Sequence, residues 1–458
     1  MNDPVVLWCL VSALAWVAIG WMFARVTRDP LHIGVNFALL FALSYPIKLM
    51  ATQYGFAFLN SREVGAVWQL RALALANLSG LAFVLPLFVL ARAVTSGEAF
   101  PRDLATSARS RHFWLAAFIL TITIGLGPAN FLKIFSFAQL SALSEARPDE
   151  RVGSSGGALL SIAALVCLIQ YFRERIGDFG QQRLVVRVFS VFGWALASWA
   201  LLAVSGSKFY ALLPLGVAVI VLNSLRVRQG RPWSFNRTIV WSLAGALLLA
   251  AAGYLRGFGR FAAGASVGML TLLQFVAAFD APDNLTMILS RMHHPWTGDL
   301  EFQPTIQYLV TSQIPRFLWP TKPLVMANQF IMERFLPERY TGYTGEVVSP
   351  SMPGEMILSG GLFFVIFWSL ILGVLFAVVY RKAHSRHPSA MATVAYVWLS
   401  LNVFNLLRSG TGILSQLALT LIIGWVLTQL RSQVLSVAWS PRARADRRDT
   451  TAARSPAR

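Results

Sequence analysis

Cysteine is nearly absent from this chain. Only Cys9 and Cys167 occur in 458 residues, both inside apolar runs. Neither fits a zinc-binding spacing, and one disulfide is the most they could form. Charge is scarce as well. Asp, Glu, Lys and Arg make up 13% of the residues, about half the share in an ordinary soluble protein. Acid is the scarcer sign, with 20 Asp+Glu against 39 Lys+Arg. The sequence contains no glycine-rich phosphate loop, no dinucleotide fingerprint and no His-Glu-x-x-His. ATP-driven and soluble-cofactor chemistry therefore have no support. No internal repeat of the transporter kind is visible.

What fills the chain instead is apolar. Hydrophobic residues reach 56%, with 15 Trp and 32 Phe, and the mean hydropathy is +0.59. Such a composition excludes a disordered chain and argues against a soluble enzyme. A helix needs about 20 mostly apolar residues to cross a bilayer. Eleven stretches qualify, at 5–24, 33–50, 72–91, 113–131, 157–172, 188–204, 209–225, 239–255, 357–379, 391–407 and 412–430. The first has no basic region before it and no small-residue cleavage site, so it reads as a retained span and not a signal peptide. The expected fold is all-α, a polytopic integral membrane protein with about 11 transmembrane helices. Residues 1–255 hold eight of them, 256–356 one large outer loop, 357–430 the last three, and 431–458 a basic tail.

The charge sorts by loop. Cytoplasmic loops are rich in Lys and Arg. The loops after spans one, three, five, seven and nine, with the tail, hold 24 of the 39 bases and 7 of the 20 acids. Everything else holds 15 bases and 13 acids. So 17 of the 19 net charges are an orientation signal. They place the N-terminus outside and the C-terminus in the cytoplasm, with membrane lipid as a partner and no nucleic acid. Phe261–Phe279 is apolar enough to span. Counting it would put Arg381, Lys382 and Arg386 outside, so an interfacial or re-entrant helix on the outer face is expected there. The Arg-, Ala- and Ser-rich tail from Ser440 is expected to lie disordered against anionic headgroups.

The outer loop carries 9 of the 21 prolines and 13 aromatic residues. Its aromatic content argues against disorder, and ordered loops of this length are usually functional. Within Gln313-Ile-Pro-Arg-Phe-Leu-Trp-Pro-Thr-Lys-Pro323, prolines stiffen a short segment bearing Arg316 and Lys322, with Phe317 and Trp319 between them. Rigid cations beside aromatic faces suit a phosphate next to a sugar. The plain alternative is a proline-rich turn with solvated cations. Glu355, in Ser349-Pro-Ser-Met-Pro-Gly-Glu355, sits where the loop enters the membrane. A carboxylate near hydrocarbon is costly unless paired and holds its proton more tightly, which suits a general base. The alternative is a carboxylate on the N-terminal dipole of a helix.

Further cations gather at the same leaflet. Lys208 lies in the short turn Ser205-Gly-Ser-Lys208, Arg408 in Leu407-Arg-Ser-Gly410, and Lys48 in Ser44-Tyr-Pro-Ile-Lys48. An anionic headgroup would explain the convergence, while snorkelling explains any one of them alone. His293 and His294 adjoin Pro295 and Trp296 and could supply a base or a metal ligand. Asp299-Leu-Glu301 has a carboxylate spacing that can hold a divalent ion, and Asn284-Leu-Thr286 is a glycosylation sequon by pattern.

These patches together resemble the bacterial O-antigen or oligosaccharide repeat-unit polymerases of the Wzy type. The resemblance rests on the many spans, the late outer loop with Ile314-Pro-Arg-Phe-Leu-Trp-Pro-Thr-Lys-Pro323, Gly354-Glu355 before a Gly-Gly pair, and the Gly-Ser-Lys208 turn. The family often has Arg in place of Lys208, and the Arg408-Ser-Gly turn lacks the acid of the family's Arg-Gly-Asp-like turn. The resemblance covers most of the chain by architecture and about four short patches by motif. It implies a membrane-embedded, GT-C-like glycosyltransferase of the bacterial inner membrane, related to the O-antigen ligases, with its N-terminus and large loop in the periplasm and with no metal and no cofactor. It implies transfer of a growing glycan from undecaprenyl pyrophosphate to the terminal sugar of an incoming lipid-linked repeat unit. A flippase and a chain-length regulator are its implied partners. Arg316 and Lys322 would hold pyrophosphate, with Trp319 and Lys48 in the same binding surface. Lys208 and Arg408 would hold a diphosphate from the membrane side. Glu355 would take the proton of the attacking hydroxyl, with His294 in reserve. One base and no carboxylate nucleophile imply inversion at the anomeric carbon. An O-antigen ligase and a lipid-linked oligosaccharide flippase are the alternatives.

Overall fold

The structure is a computed structural model. It describes residues 4–53, 64–91, 108–126, 154–175, 208–228, 280–299, 327–335, 349–385, 388–410 and 412–437. Among these residues every regular element is a helix. In order they are α1 (Pro4–Thr27), α2 (Ile33–Ala42), a π-helical turn (Leu43–Ile47), α3 (Lys48–Gln53), α4 (Ala66–Ala91), α5 (Ala108–Leu126) and α6 (Ser154–Arg175). Then come α7 (Lys208–Arg228), α8 (Ala281–Arg291), α9 (Ala327–Phe335), α10 (Met352–Ala383), α11 (Ala390–Ser409) and α12 (Gly412–Val437).

Among the described residues six helical stretches are long and apolar enough to cross a membrane: Pro4–Thr27, Ile33–Gln53, Ala66–Leu90, Met352–Ala383, Ala390–Ser409 and Gly412–Ser436. The chain is therefore a multi-pass membrane protein, helical throughout the regular elements of its described residues. Three more expected spans, 113–131, 157–172 and 209–225, fall largely on α5, α6 and α7. The expected spans 188–204 and 239–255, the segment 261–279 and the tail from 438 lie outside the described residues.

Small residues let the helices approach closely, as packing within lipid requires. Gly373 of α10 leaves no room for a β-carbon against the Phe83 backbone of α4. Beside this contact the Ser79 and Ser369 hydroxyls pair at 2.9 Å. Aromatic rings fill the remaining space, with Phe37 stacked on Phe83 at 4.1 Å and Phe83 edge-on to Phe376 at 5.0 Å. The opposite faces carry exposed Leu7, Trp8, Leu14, Leu85, Phe363 and Trp425. A surface of that kind belongs in hydrocarbon.

Two helices depart from regular geometry at the same end of the molecule. Pro46 lacks an N–H, and the chain answers with the π-helical turn at Leu43–Ile47. The second departure is in α10. Gly360 and Gly361 leave helical geometry, with Gly361 at φ +67°. They divide α10 into a short helix, 352–359, and a long membrane helix. A β-carbon at Gly361 would overlap the Trp296 carbonyl. The turn 293–299 thus docks on the break, and the Leu362 N–H donates to the Pro295 carbonyl at 3.1 Å. The helix starts at Met352, ahead of the expected span 357–379, because Ser351 caps it and Pro353 stands in its first turn.

Candidate functional site

The short helix 352–359 begins on a strained residue. Ser351 has φ +67° and ψ +160°, outside the regions comfortable for a side chain. Such a conformation costs on the order of 1–3 kcal/mol and persists only where its neighbours hold it. Here the neighbours come from three places. The Ser351 N–H donates to the Arg408 carbonyl at 2.9 Å. Its hydroxyl accepts the Gly354 N–H at 3.2 Å and shares a hydrogen bond with the Tyr45 hydroxyl. Tyr45, from the π-helical turn, donates to the Leu407 carbonyl at 3.0 Å. One buried knot thus ties the Lys48 segment, the Glu355 helix and the end of α11 together.

Glu355 lies in the first turn of this helix and is buried. Its carboxylate faces the turn after α11. Gly410, at φ +77°, accommodates it, since a β-carbon there would overlap Glu355 Oε2. Arg408 stands at the C-terminal end of α11, where a cation is favoured by the helix dipole. Its guanidinium meets Asp280, with Nε to Oδ1 at 2.9 Å and Nη2 to Oδ2 at 3.4 Å. The Arg408 side chain is 38% exposed and that of Asp280 17%.

Lys48 is placed differently. Its ammonium lies 3.4 Å from Asp283 Oδ2, with the two side chains 2% and 4% exposed. The Thr52 hydroxyl is 3.4 Å from Asp283 Oδ1. This sealed pair fastens α8 to α3. Asn284 adds a further tie, donating from Nδ2 to the Ser349 carbonyl at 2.8 Å. Buried and bonded in this way, Asn284 does not offer its amide for glycosylation. His293 and His294 are exposed on the docked turn. Their backbone N–H groups donate to the Asp299 carboxylate at 3.2 and 2.9 Å, so Asp299 closes the turn.

The structure thus gathers Lys48, Glu355 and Arg408 at one corner, with His294 on the turn that covers the far end of the Glu355 helix. Lys208 opens α7. Gly216 of that helix packs on Leu401 of α11, while Asn223 further along reaches the opposite end of the molecule at Asp29. The start of α7, about 12 Å of helix before Gly216, therefore points towards the Arg408 end. Arg316, Trp319 and Lys322 lie outside the described residues, as does Glu301. Among the described residues no group of three His, Cys, Asp or Glu side chains could hold a metal. Sequence reasoning missed Tyr45, Asp280, Asp283 and Ser351. The only local signal was Asp280-Ala-Pro-Asp283 at a helix start, a common pattern.

A second polar cluster occupies the other end of the same helices. Asp29, in the turn between α1 and α2, is wholly buried. It accepts from Asn223 Nδ2 at 2.6 Å, the Leu31 N–H at 3.0 Å and the Tyr380 hydroxyl at 3.2 Å. Burial pushes its carboxyl above the usual range, and those three bonds pull part of the way back. His32 stacks near Tyr380 and Phe23. Its Nδ1 accepts the Gly34 N–H at 3.0 Å, which leaves the neutral ring's proton on Nε2. Burial, aided by the nearby His384, lowers the His32 imidazole to about 3.

The chain matches no family model, and no solved structure matches it.

Proposed function

We propose that this protein polymerises oligosaccharide repeat units carried on undecaprenyl pyrophosphate, with the Glu355 end facing the periplasm. The observation that carries this reading is the meeting of Glu355 and Arg408 with Lys48. They come from segments far apart in sequence and meet on strained, irregular backbone of the kind that clusters at functional sites. In the reaction proposed, a sugar hydroxyl of the incoming unit attacks the anomeric carbon of the donor glycan. The bond from that carbon to the pyrophosphate oxygen breaks, and the hydroxyl proton passes to Glu355. Arg408 stabilises the charge that develops on the departing pyrophosphate. Arg316, Lys322 and Lys208 are proposed as further phosphate contacts, Trp319 as a sugar platform and His294 as the reserve base. Lys48 enters as a support, since its partner Asp283 is sealed with it.

One observation favours a second reading. A membrane helix interrupted at Gly360–Gly361 is a feature shared with transporters. A lipid-linked oligosaccharide flippase is therefore the alternative. Reconstitution of the full chain with purified lipid-linked repeat units, with and without chelator, separates the two. Ladders of lengthened product support the polymerase. Movement of the lipid across the vesicle without lengthening supports the flippase. In cells, loss of a polymerase leaves single repeat units attached to their acceptor, whereas loss of a ligase leaves lipid-linked polymer unattached.

A further inference from the structure

Asp280 stands at the N-cap position of α8, yet its side chain caps nothing. Its backbone is helical, at φ −76° and ψ −7°, and no cap hydrogen bond forms. An Asp at such a position ordinarily accepts an N–H of the first helical turn. Here the carboxylate reaches instead to Arg408, across 128 residues of sequence. The pairing is lopsided, with one arm at 2.9 Å and the other at 3.4 Å. It is also open to solvent, in contrast to the Lys48–Asp283 pair a short distance along the same helix.

We propose that Asp280 is a resident competitor for Arg408, displaced when a pyrophosphate group arrives. This rests on the reading of Arg408 as a phosphate contact. A carboxylate and a phosphate present the same pair of oxygens to a guanidinium fork, but the pyrophosphate carries more charge and more acceptor oxygens. The backbone of Arg408 is held during the exchange, because its carbonyl is bonded to the Ser351 N–H. The released Asp280 swings back to the N-terminus of its own helix, where a carboxylate is favoured by the dipole. The empty site therefore holds no unpaired cation, and Arg408 becomes available only in exchange for a stronger anion.

The test uses full-length protein in detergent, titrated calorimetrically with sodium pyrophosphate. Asp280→Ser and Asp280→Asn are expected to bind about threefold to fivefold more tightly than wild type, the factor set by removing a partly exposed competing pair. Arg408→Gln is expected to abolish binding in the wild-type and Asp280→Ser backgrounds alike. Polyprenyl pyrophosphate in phosphatidylcholine nanodiscs is expected to give the same ratio between variants. Unchanged or weaker binding in monodisperse Asp280 variants would mean that Asp280 positions Arg408, which overturns the competitor and leaves the phosphate site standing. Absence of binding in every protein, or binding that survives Arg408→Gln, overturns both. Competition by phosphatidylglycerol in the nanodiscs would identify the anion as a lipid headgroup phosphate and overturn displacement by substrate. Loss of folded protein in both Asp280 variants also overturns the proposal, because a displaceable pair is not required for the fold.

Discussion

Glu355 and Asp29 are both buried carboxylates, and they lie at opposite ends of the same helices. Asp29 is surrounded by donors from three elements, and its neighbours Tyr380 and His384 pack ring on ring. Glu355 sits beside a glycine turn, a strained serine and an ion pair that reaches solvent. The first arrangement fastens α1, α7 and α10 together. The second leaves a buried carboxylate at the same corner as a partly exposed ion pair. Burial alone does not separate structural acids from chemical ones. On the proposed reading, what separates them is whether the adjoining polar contacts are sealed or partly exposed.

The strongest way to break this contrast is at the backbone of the Glu355 end. Gly361→Ala inserts a β-carbon into the Trp296 carbonyl at positive φ and is expected to cost about 3–5 kcal/mol from overpacking and strain together. Yield of monodisperse protein checks it, and normal yield would mean the docked turn is dispensable. Lys48→Met removes one member of the sealed pair and strands Asp283, for an expected loss of about 3–5 kcal/mol. A melting temperature close to wild type would show that Asp283 finds water or another partner.

Glu355→Gln is expected to leave melting unchanged and lower turnover by about 10²- to 10⁴-fold, the usual contribution of a positioned base. Product ladders measured on purified protein decide this, and full activity would move the role to His294. Asp29→Ala should do the reverse. It strands the Asn223 and Tyr380 donors, costs about 1–3 kcal/mol, and leaves turnover per folded molecule unaltered.

The last comparison is a pH dependence of stability at the Asp29 end. The His32 imidazole is depressed to about 3 when folded. Its neutral form thus contributes stability that is present above the ordinary value of 6.5 and is lost as pH falls towards 3. Asp29, raised in the folded state, acts in the opposite sense, with stability lost as pH rises from 3.8 through its folded value. His32→Asn keeps a cap acceptor for Gly34 and removes the titration. It is expected to flatten the acid limb of melting temperature between pH 6.5 and pH 3, and an unaltered limb would assign the acid sensitivity to another group.

Much of the fold was legible because hydropathy acts locally. A run of apolar residues with no partner for its backbone must become a helix in lipid, and 5–24, 391–407 and 412–430 lie within α1, α11 and α12. The Gly360-Gly361 pair was legible as a feature but not as a break, because a glycine pair reads equally well as a helix start. Glu355 and Arg408 stood out as charges bordering apolar runs. The 2% exposure of Lys48 did not, since an interfacial lysine and a sealed one have the same sequence context.

The sequence alone determined the class of protein, the position of most described helices and the residues whose chemistry is costly near hydrocarbon. Those follow from composition and short-range pattern, which act on each segment separately. The tertiary structure alone decided the partners. Asp280 for Arg408, Asp283 for Lys48, Tyr45 for Leu407 and Asn223 for Asp29 are joined across 128 residues of chain or more. The side chain a charge meets depends on how whole helices pack, and small residues such as Gly373 and Gly410 set that packing by what they leave out.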